Sequence, residues 1–300
     1  MPSTAPGLDE QIAALDDGRA FVDLTMWRKL RVSGSDAASW LNDLLSADLA
    51  GLNAGSTRRS LLLSPTGRVR ADVGVVARDD GFVLVQDPVQ DTPIEKALTP
   101  YVLSSAVVLE DVTAALGLLS FPGVTGPPDP APGPRSRPSV LGGGIDLLPD
   151  AGEVAAARAA SQEGGLVEAT AEALEAWRIR RGRSRAGIDL TEDALPHEAA
   201  ADALIAQDKG CYLGQEAVAR VRNLGHPPFV LLSVTAPTAL APGDQVQAGG
   251  AEVGLITSSE SRAAAGSAAI VRVRWASRDA DLAAPDGTPL TVGGPAVLGA

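Results

Sequence analysis

Cysteine is almost missing from this chain of 300 residues: Cys211 is the only one. A lone thiol excludes a disulfide within the chain. It also excludes the four-thiolate set with which one chain normally holds an iron–sulfur cluster. Histidine is nearly as scarce. His197 and His226 stand alone, with no ligand spacing between them, so a zinc site of three or four ligands is not expected. Aromatic residues make up 3% of the chain against 45% apolar residues, so the core must be built of Ala, Val and Leu. Positive charge is in deficit, leaving a net charge of −12. Such a surface repels nucleic acid, although it does not exclude a local basic pocket for an anionic ligand.

Long apolar runs are lacking too. The most apolar stretch, residues 101–121, is broken by Glu110-Asp111 and makes a poor membrane span. Residues 1–11 have neither the basic nor the apolar region of a signal peptide. One cysteine and no export signal point to a reducing, cytoplasmic setting. Glycine-rich phosphate loops are absent; Gly142-Gly143-Gly144 follows proline-rich sequence and not a strand.

What is present reads as an α+β chain. Residues 23–33 form a strand entering a turn at Gly34, and Ser35 is the candidate N-cap of a helix carrying Trp40, Leu41, Leu44 and Leu45 on one face. Residues 58–63 and 68–77 read as strands joined by a Ser64-Pro65-Thr66-Gly67 turn. The second alternates, with Arg68, Arg70 and Asp72 on one side and Val69, Ala71 and Val73 on the other. Residues 122–144 hold seven prolines and six glycines, which reads as a loop or linker. A helix over 215–224 buries Ala217, Val218, Val221 and Leu224, with Gly225 at C′. Beyond Pro227-Pro228, short apolar runs separated by Gly, Pro and Ser turns read as a small antiparallel barrel. The expected organisation is 1–121, an N-terminal α+β part; 122–144, the linker; 145–226, a second α+β part; and 227–300, the barrel.

The chemistry concentrates at Lys209-Gly210-Cys211-Tyr212-Leu213-Gly214-Gln215-Glu216. A lone cysteine is more often a small buried hydrophobe. Here the context favours exposure: Lys209 and the N-terminal end of the following helix can stabilise a thiolate, and the flanking glycines let a ligand approach the backbone. Arg68 and Arg70, and the cluster Arg178, Arg180, Arg181 and Arg183, read either as solvated surface or as a seat for carboxylates such as a glutamyl tail.

The cysteine segment, followed by Val218-Ala219-Arg220, resembles the signature of the YgfZ family, folate-binding proteins involved in making or repairing iron–sulfur clusters. Trp27, Val32-x-Gly34, Thr66-Gly67-Arg68-Val69-x-Ala71-Asp72, Pro196-x-Glu198 and Gly254-x-Ile256-Thr257-Ser258 fit the same family more loosely. The resemblance implies the fold of the glycine cleavage T-protein, or aminomethyltransferase: two mixed α/β lobes and an antiparallel β-barrel in a ring around a central folate-binding hole. It implies tetrahydrofolate or a one-carbon derivative as cofactor, and iron–sulfur client or assembly proteins as partners, with neither nucleic acid nor membrane. Cys211, Lys209 and Asp72 then become the catalytic candidates. Trp27, Arg68, Arg70, Leu174, Arg178, Arg180, Glu198 and Tyr212 become the folate-side residues. The T-protein pattern places a glutamate where Arg180 stands, and of its paired aspartates only Asp72 has a counterpart, the neighbour being Ala71. An accessory protein acting through Cys211 is therefore the first expectation. A folate-dependent aminomethyl transferase using Asp72, or a non-catalytic folate-binding scaffold, are the alternatives.

Overall fold

The computed structural model describes residues 6–103, 105–124, 133–262 and 266–298. The chain packs into two units that interleave along the sequence. One comprises Met1–Leu62 and Ala71–Trp177, the other Leu63–Arg70 and Arg178–Ala300. The boundaries cut a hairpin and a helix. They do not fall at residues 122–144. There Arg135–Ser136 is a strand paired with Ile145–Leu147, and Val140 is buried. Residues 125–132 of the expected linker lie outside the described residues.

The first unit holds two five-stranded sheets. One runs, in spatial order, Val167–Ala169, Ala20–Asp23, Leu119–Phe121, Ile145–Leu147 and Arg135–Ser136. The other runs Thr57–Leu63, Val69–Arg78, Gly81–Gln86, Arg28–Ser33 and Val108–Asp111. The single strand expected over 23–33 is thus split between two sheets. Asp23 makes the break: its Oδ1 accepts from the Thr25 N–H at 2.9 Å, and Trp27 N–H closes the turn on Leu24 O at 2.8 Å. The alternation expected along Val69–Arg78 holds only at its start. From Ala71 to Ala77 every residue is buried, because both faces of that stretch are covered, which is why it is so rich in valine. The helix expected from Trp40 spans Ala37–Leu44 and buries Trp40, Leu41 and Leu44. Its cap position is Asp36, not Ser35, and Asp36 Oδ2 accepts from Ala106 N–H at 2.8 Å.

In the second unit, six antiparallel strands close a barrel in the order Phe229–Ala236, Gly266–Arg274, Ala251–Arg262, Gln245–Ala248, Leu282–Ala283 and Pro289–Pro295. Val234, Val246, Ile256, Ala269, Val271 and Val273 fill it. Each fully buried Val or Ile contributes about 1.5–3 kcal/mol, and closure leaves no free edge. Of these strands, Leu282–Ala283 is too short to show a period in the sequence. The mixed α/β fold with its closed barrel is therefore as expected.

One buried carboxyl in the first unit is only partly compensated. Asp146 is fully buried. Its Oδ2 accepts from Val140 N–H at 2.8 Å, while Oδ1 has no hydrogen-bond partner among the described residues. Burial pushes its carboxyl from 3.8 up to about 6, against the hydrogen bonds from Val140, Ser120 and Ser139. A folded pKa above the unfolded one favours the protonated form. That contribution is complete below pH 4 and is lost as the pH rises through 6. Asp146→Asn cannot ionise. It is expected to gain stability over the wild type between pH 4 and pH 8, by about 3 kcal/mol at roughly 1.4 kcal/mol per unit. Urea unfolding at the two pH values measures this, and a difference between the proteins that is the same at both would refute it.

Candidate functional site

Cys211 lies in the second unit and is exposed. The segment around it is shaped by its glycines and glutamine. Gly214, at φ +84°, precedes the helix Gln215–Leu224, and its carbonyl accepts the first helical bond from Val218 N–H at 3.3 Å. Gln215 reaches back: its Oε1 accepts from Tyr212 N–H at 3.2 Å, and its own N–H donates to Tyr212 O at 3.3 Å. The thiol is thus presented by a turn tied to the first residue of a helix. Along that helix Val218 is buried and Ala217 and Val221 are half-buried, while Gly225 ends it in extended backbone rather than the left-handed form expected. The Lys209 ammonium stands 5.3 Å over the Tyr212 ring, a cation–π contact. Burial raises the Tyr212 pKa, opposed by Arg222. Burial likewise lowers that of His197, with Asp202 opposing and Arg222 adding to the shift.

The loop packs on the tip of the hairpin that carries Arg68 and Arg70. Ser64-Pro65-Thr66-Gly67 makes a tight turn with proline second and glycine fourth, closed by Gly67 N–H on Ser64 O at 2.8 Å. A Cβ at Gly214 would lie 2.4 Å from Ser64 O, and one at Gly67 would lie 2.8 Å from Ala217 Cβ. Two motifs roughly 150 residues apart in sequence therefore meet backbone to backbone. The segment before residue 196 holds the same tip. Val69 N–H donates to Ala194 O at 3.0 Å, Arg68 Nη1 to Asp193 O at 2.5 Å, and Arg70 pairs with Glu192 at 3.3 Å.

The remaining second-unit candidates are ion-paired. Arg178 is buried against Asp189, Nη1 to Oδ2 at 2.8 Å, and also donates to Ser258 Oγ and Arg183 O. Arg180 pairs with Glu260. Glu198 is buried; its Oε1 accepts from Leu195 N–H, and its Oε2 takes two donors from Arg272 at 3.0 and 2.8 Å. Arg272 in turn lies 3.9 Å over the Phe229 ring. Arg68 and Arg70 are thus the candidates whose guanidiniums stay at the surface, Arg70 in a half-exposed pair with Glu192.

In the first unit, Trp27 and Leu174 are both half-buried and pack against the same core cluster. Asp72 is buried, and Arg59 grips its carboxylate through two parallel bonds, Nε to Oδ1 at 2.8 Å and Nη2 to Oδ2 at 2.5 Å. Gln90 clamps its backbone, accepting from Asp72 N–H at 2.8 Å and donating to Asp72 O at 2.9 Å. Arg28, next to Trp27, braces that loop through Gln90 O and Pro88 O. Sequence reasoning missed Arg59, Gln90 and Lys29. For Arg59 a signal existed: it lies five residues before the Ser64–Gly67 turn and Asp72 five after it. For Gln90 and Lys29 there was none.

Each unit, taken by itself, offers a group of the chemistry that tetrahydrofolate carries. The half-buried indole of Trp27 offers an aromatic face on an apolar bed, and surface guanidiniums at Arg68 and Arg70 suit carboxylates. Among the described residues, no group of three or more His, Cys, Asp or Glu is placed to hold a metal ion. No helix among them is long and apolar enough to cross a membrane.

Comparisons with known proteins agree with this architecture. The model of the GCVT N-terminal domain matches residues 2–128. The crystal structure of the glycine cleavage system aminomethyltransferase T from Bartonella henselae superposes with a TM-score of 0.78 at 18% identity, covering 94% of this chain and 88% of that one. A chloroplastic protein of Arabidopsis thaliana, whose name provisionally calls it a transferase, is 25% identical over 276 residues, covering 83% of this chain. The chain spans 64% of that relative's length. The fold is that of the aminomethyltransferases.

Proposed function

We propose that this protein binds tetrahydrofolate or a one-carbon derivative and serves iron–sulfur cluster assembly or repair, with Cys211 as its functional thiol. The observation that carries the reading is the meeting of two motifs within one unit. The exposed Cys211 stands on a turn locked by Gly214 onto the hairpin tip that carries Arg68 and Arg70. A cysteine kept only for packing would be buried.

In this reading the folate supplies a reduced pteridine able to carry a one-carbon unit. Trp27, on its apolar bed with Leu174, lies against the flat ring. Within the second unit, Arg68 and Arg70 on the hairpin tip suit carboxylates, and each can exchange its present partner for one. Cys211, exposed on its turn, meets an iron–sulfur client in a reducing compartment. Asp72 is less suited to move a proton, since Arg59 occupies both its oxygens. It orients the ligand through its remaining lone pairs.

Cys211→Ser is expected to fold and to bind folate like the wild type, yet to leave iron–sulfur enzyme activity unrestored in a strain lacking this protein. Full restoration by the variant would remove the thiol from the mechanism. The transferase reading is favoured by the name of the Arabidopsis relative. It predicts formation of methylene-tetrahydrofolate from an aminomethyl-lipoyl carrier, lost in Asp72→Asn. Folate binding without that product supports the accessory role.

A further inference from the structure

The turn that carries Trp27 stands on a buried ammonium. Lys29 follows it on the strand Arg28–Ser33 and is 1% exposed. Its Nζ donates to the carbonyls of Thr25 and Trp27, each at 2.8 Å. Its backbone is fixed independently: the N–H donates to Thr113 Oγ1 at 2.9 Å, and the carbonyl accepts from Val112 N–H at 2.9 Å. The charged groups facing the ammonium are Asp111 and Asp23, each at the end of its own strand. Above it, Met26 is 81% exposed and Trp27 half-buried.

Lysine is almost never fully buried unless it is paired, and taking an ammonium out of water is costly. An apolar residue would fill this space without that penalty. What it could not do is draw two carbonyls of one tight turn to a single point. We propose that Lys29 is a positioning residue for the folate site: it cross-links the Thr25-Met26-Trp27 turn from below and so holds the indole in the orientation that receives the ligand. The proposal rests on the folate reading above.

Without the ammonium, two part-buried carbonyls lose their donor on the inner side of the turn, which must open to let water reach them there. Trp27 then samples orientations that the ligand has to reorder, which weakens binding. Burial lowers the Lys29 pKa from 10.5 to about 8, against the opposing pull of Asp111 and Asp23. The charge is therefore lost just above neutrality. A neutral amine still donates, but charge-assisted bonds are about twice as strong.

The test measures binding of 5-formyltetrahydrofolate to the full chain by titration calorimetry at pH 7 and pH 9, with hydrogen exchange over residues 24–28. Wild-type affinity is expected to fall several-fold between the two pH values. Lys29→Met should bind about tenfold more weakly at pH 7, near the loss of one good hydrogen bond, and show no such pH dependence. Its Trp27 amide, bonded to Leu24 O, should exchange faster. Lys29→Arg keeps its charge and should flatten the profile. A Lys29→Met protein with wild-type affinity and profile would overturn the proposal. Should that variant not fold, a wild-type affinity equal at both pH values overturns it equally. Failure of the wild type to bind at any pH removes the folate reading and this proposal with it, an outcome distinct from binding that ignores Lys29.

Discussion

Asp189→Ala is expected to remove about 3–5 kcal/mol of stability, the usual effect of deleting one partner of a buried ion pair. Asp189 is fully buried and gathers four donors. Its Oδ2 accepts from Arg178 Nη1 and from Arg185 N–H, and its Oδ1 from the hydroxyls of Thr257 and Ser258 at 2.5 and 2.6 Å. The truncation leaves the Arg178 guanidinium in a site without its counter-charge. Most of the loss comes from that stranded cation rather than from the net worth of the pair. The double variant Asp189→Leu with Arg178→Leu should therefore be milder than Asp189→Ala alone. Urea unfolding of the three proteins decides it. A single variant within 1 kcal/mol of wild type would mean that water reaches Arg178 and the pair is not truly enclosed.

Gly214→Ala should be nearly as damaging, at about 3 kcal/mol or more. Two effects add. A left-handed backbone costs a non-glycine residue about 1–3 kcal/mol, and at φ +84° Gly214 is in that region. The new methyl group would also meet the Ser64 carbonyl oxygen at 2.4 Å, and backbone cannot yield as a side-chain end can. The expected result has a signature beyond stability. The turn must lift from the hairpin tip, so alkylation of Cys211 by a bulky maleimide should change in rate while the barrel remains folded by circular dichroism. Gly67→Ala, on the other side of the contact, meets only the Ala217 methyl at 2.8 Å but is itself at φ +74°. It should show the same signature more weakly. Unchanged stability in Gly214→Ala would show that the loop is not locked there.

The barrel and the helix over 215–224 were legible because each depends on a local pattern: short apolar runs with turn residues, and a 3.6-residue stripe after a glycine. The Ser64–Gly67 turn was legible for the same reason, from proline and glycine in fixed places. The break at residues 24–27 was hidden. It depends on one Asp23 oxygen capping one N–H, which leaves the apolar pattern of residues 20–33 intact. The strand Arg135–Ser136 was hidden by seven prolines and six glycines around it; two residues suffice when the neighbouring strand Ile145–Leu147 supplies the pairing. Cys211 stood out through its glycines. The grip of Arg59 on Asp72 showed only in their matched places on either side of the Ser64–Gly67 turn, and that of Arg272 on Glu198 not at all, because an ion pair between distant residues leaves no periodic trace. The arginines Arg178 and Arg180 read the same as Arg68 and Arg70 in sequence. Only their distant partners, Asp189 and Glu260, set them apart.

The interleaving of the two units bears on how the chain is made. Residues 63–70 leave the ribosome early, yet they pack with Arg178–Ala300, and the glycine that seats them is at position 214. At about 5–20 residues per second, the hairpin tip waits on the order of ten to thirty seconds for its partner to be synthesised. During that time Ser64-Pro65-Thr66-Gly67 and the strand ends beside it stand uncovered, while the rest of their own sheet can already pair. Completion of the fold is therefore tied to the arrival of the cysteine loop. A ribosome stalled before residue 214 would hold a nascent chain with the greater part of one unit built and its hairpin tip exposed to chaperones and proteases.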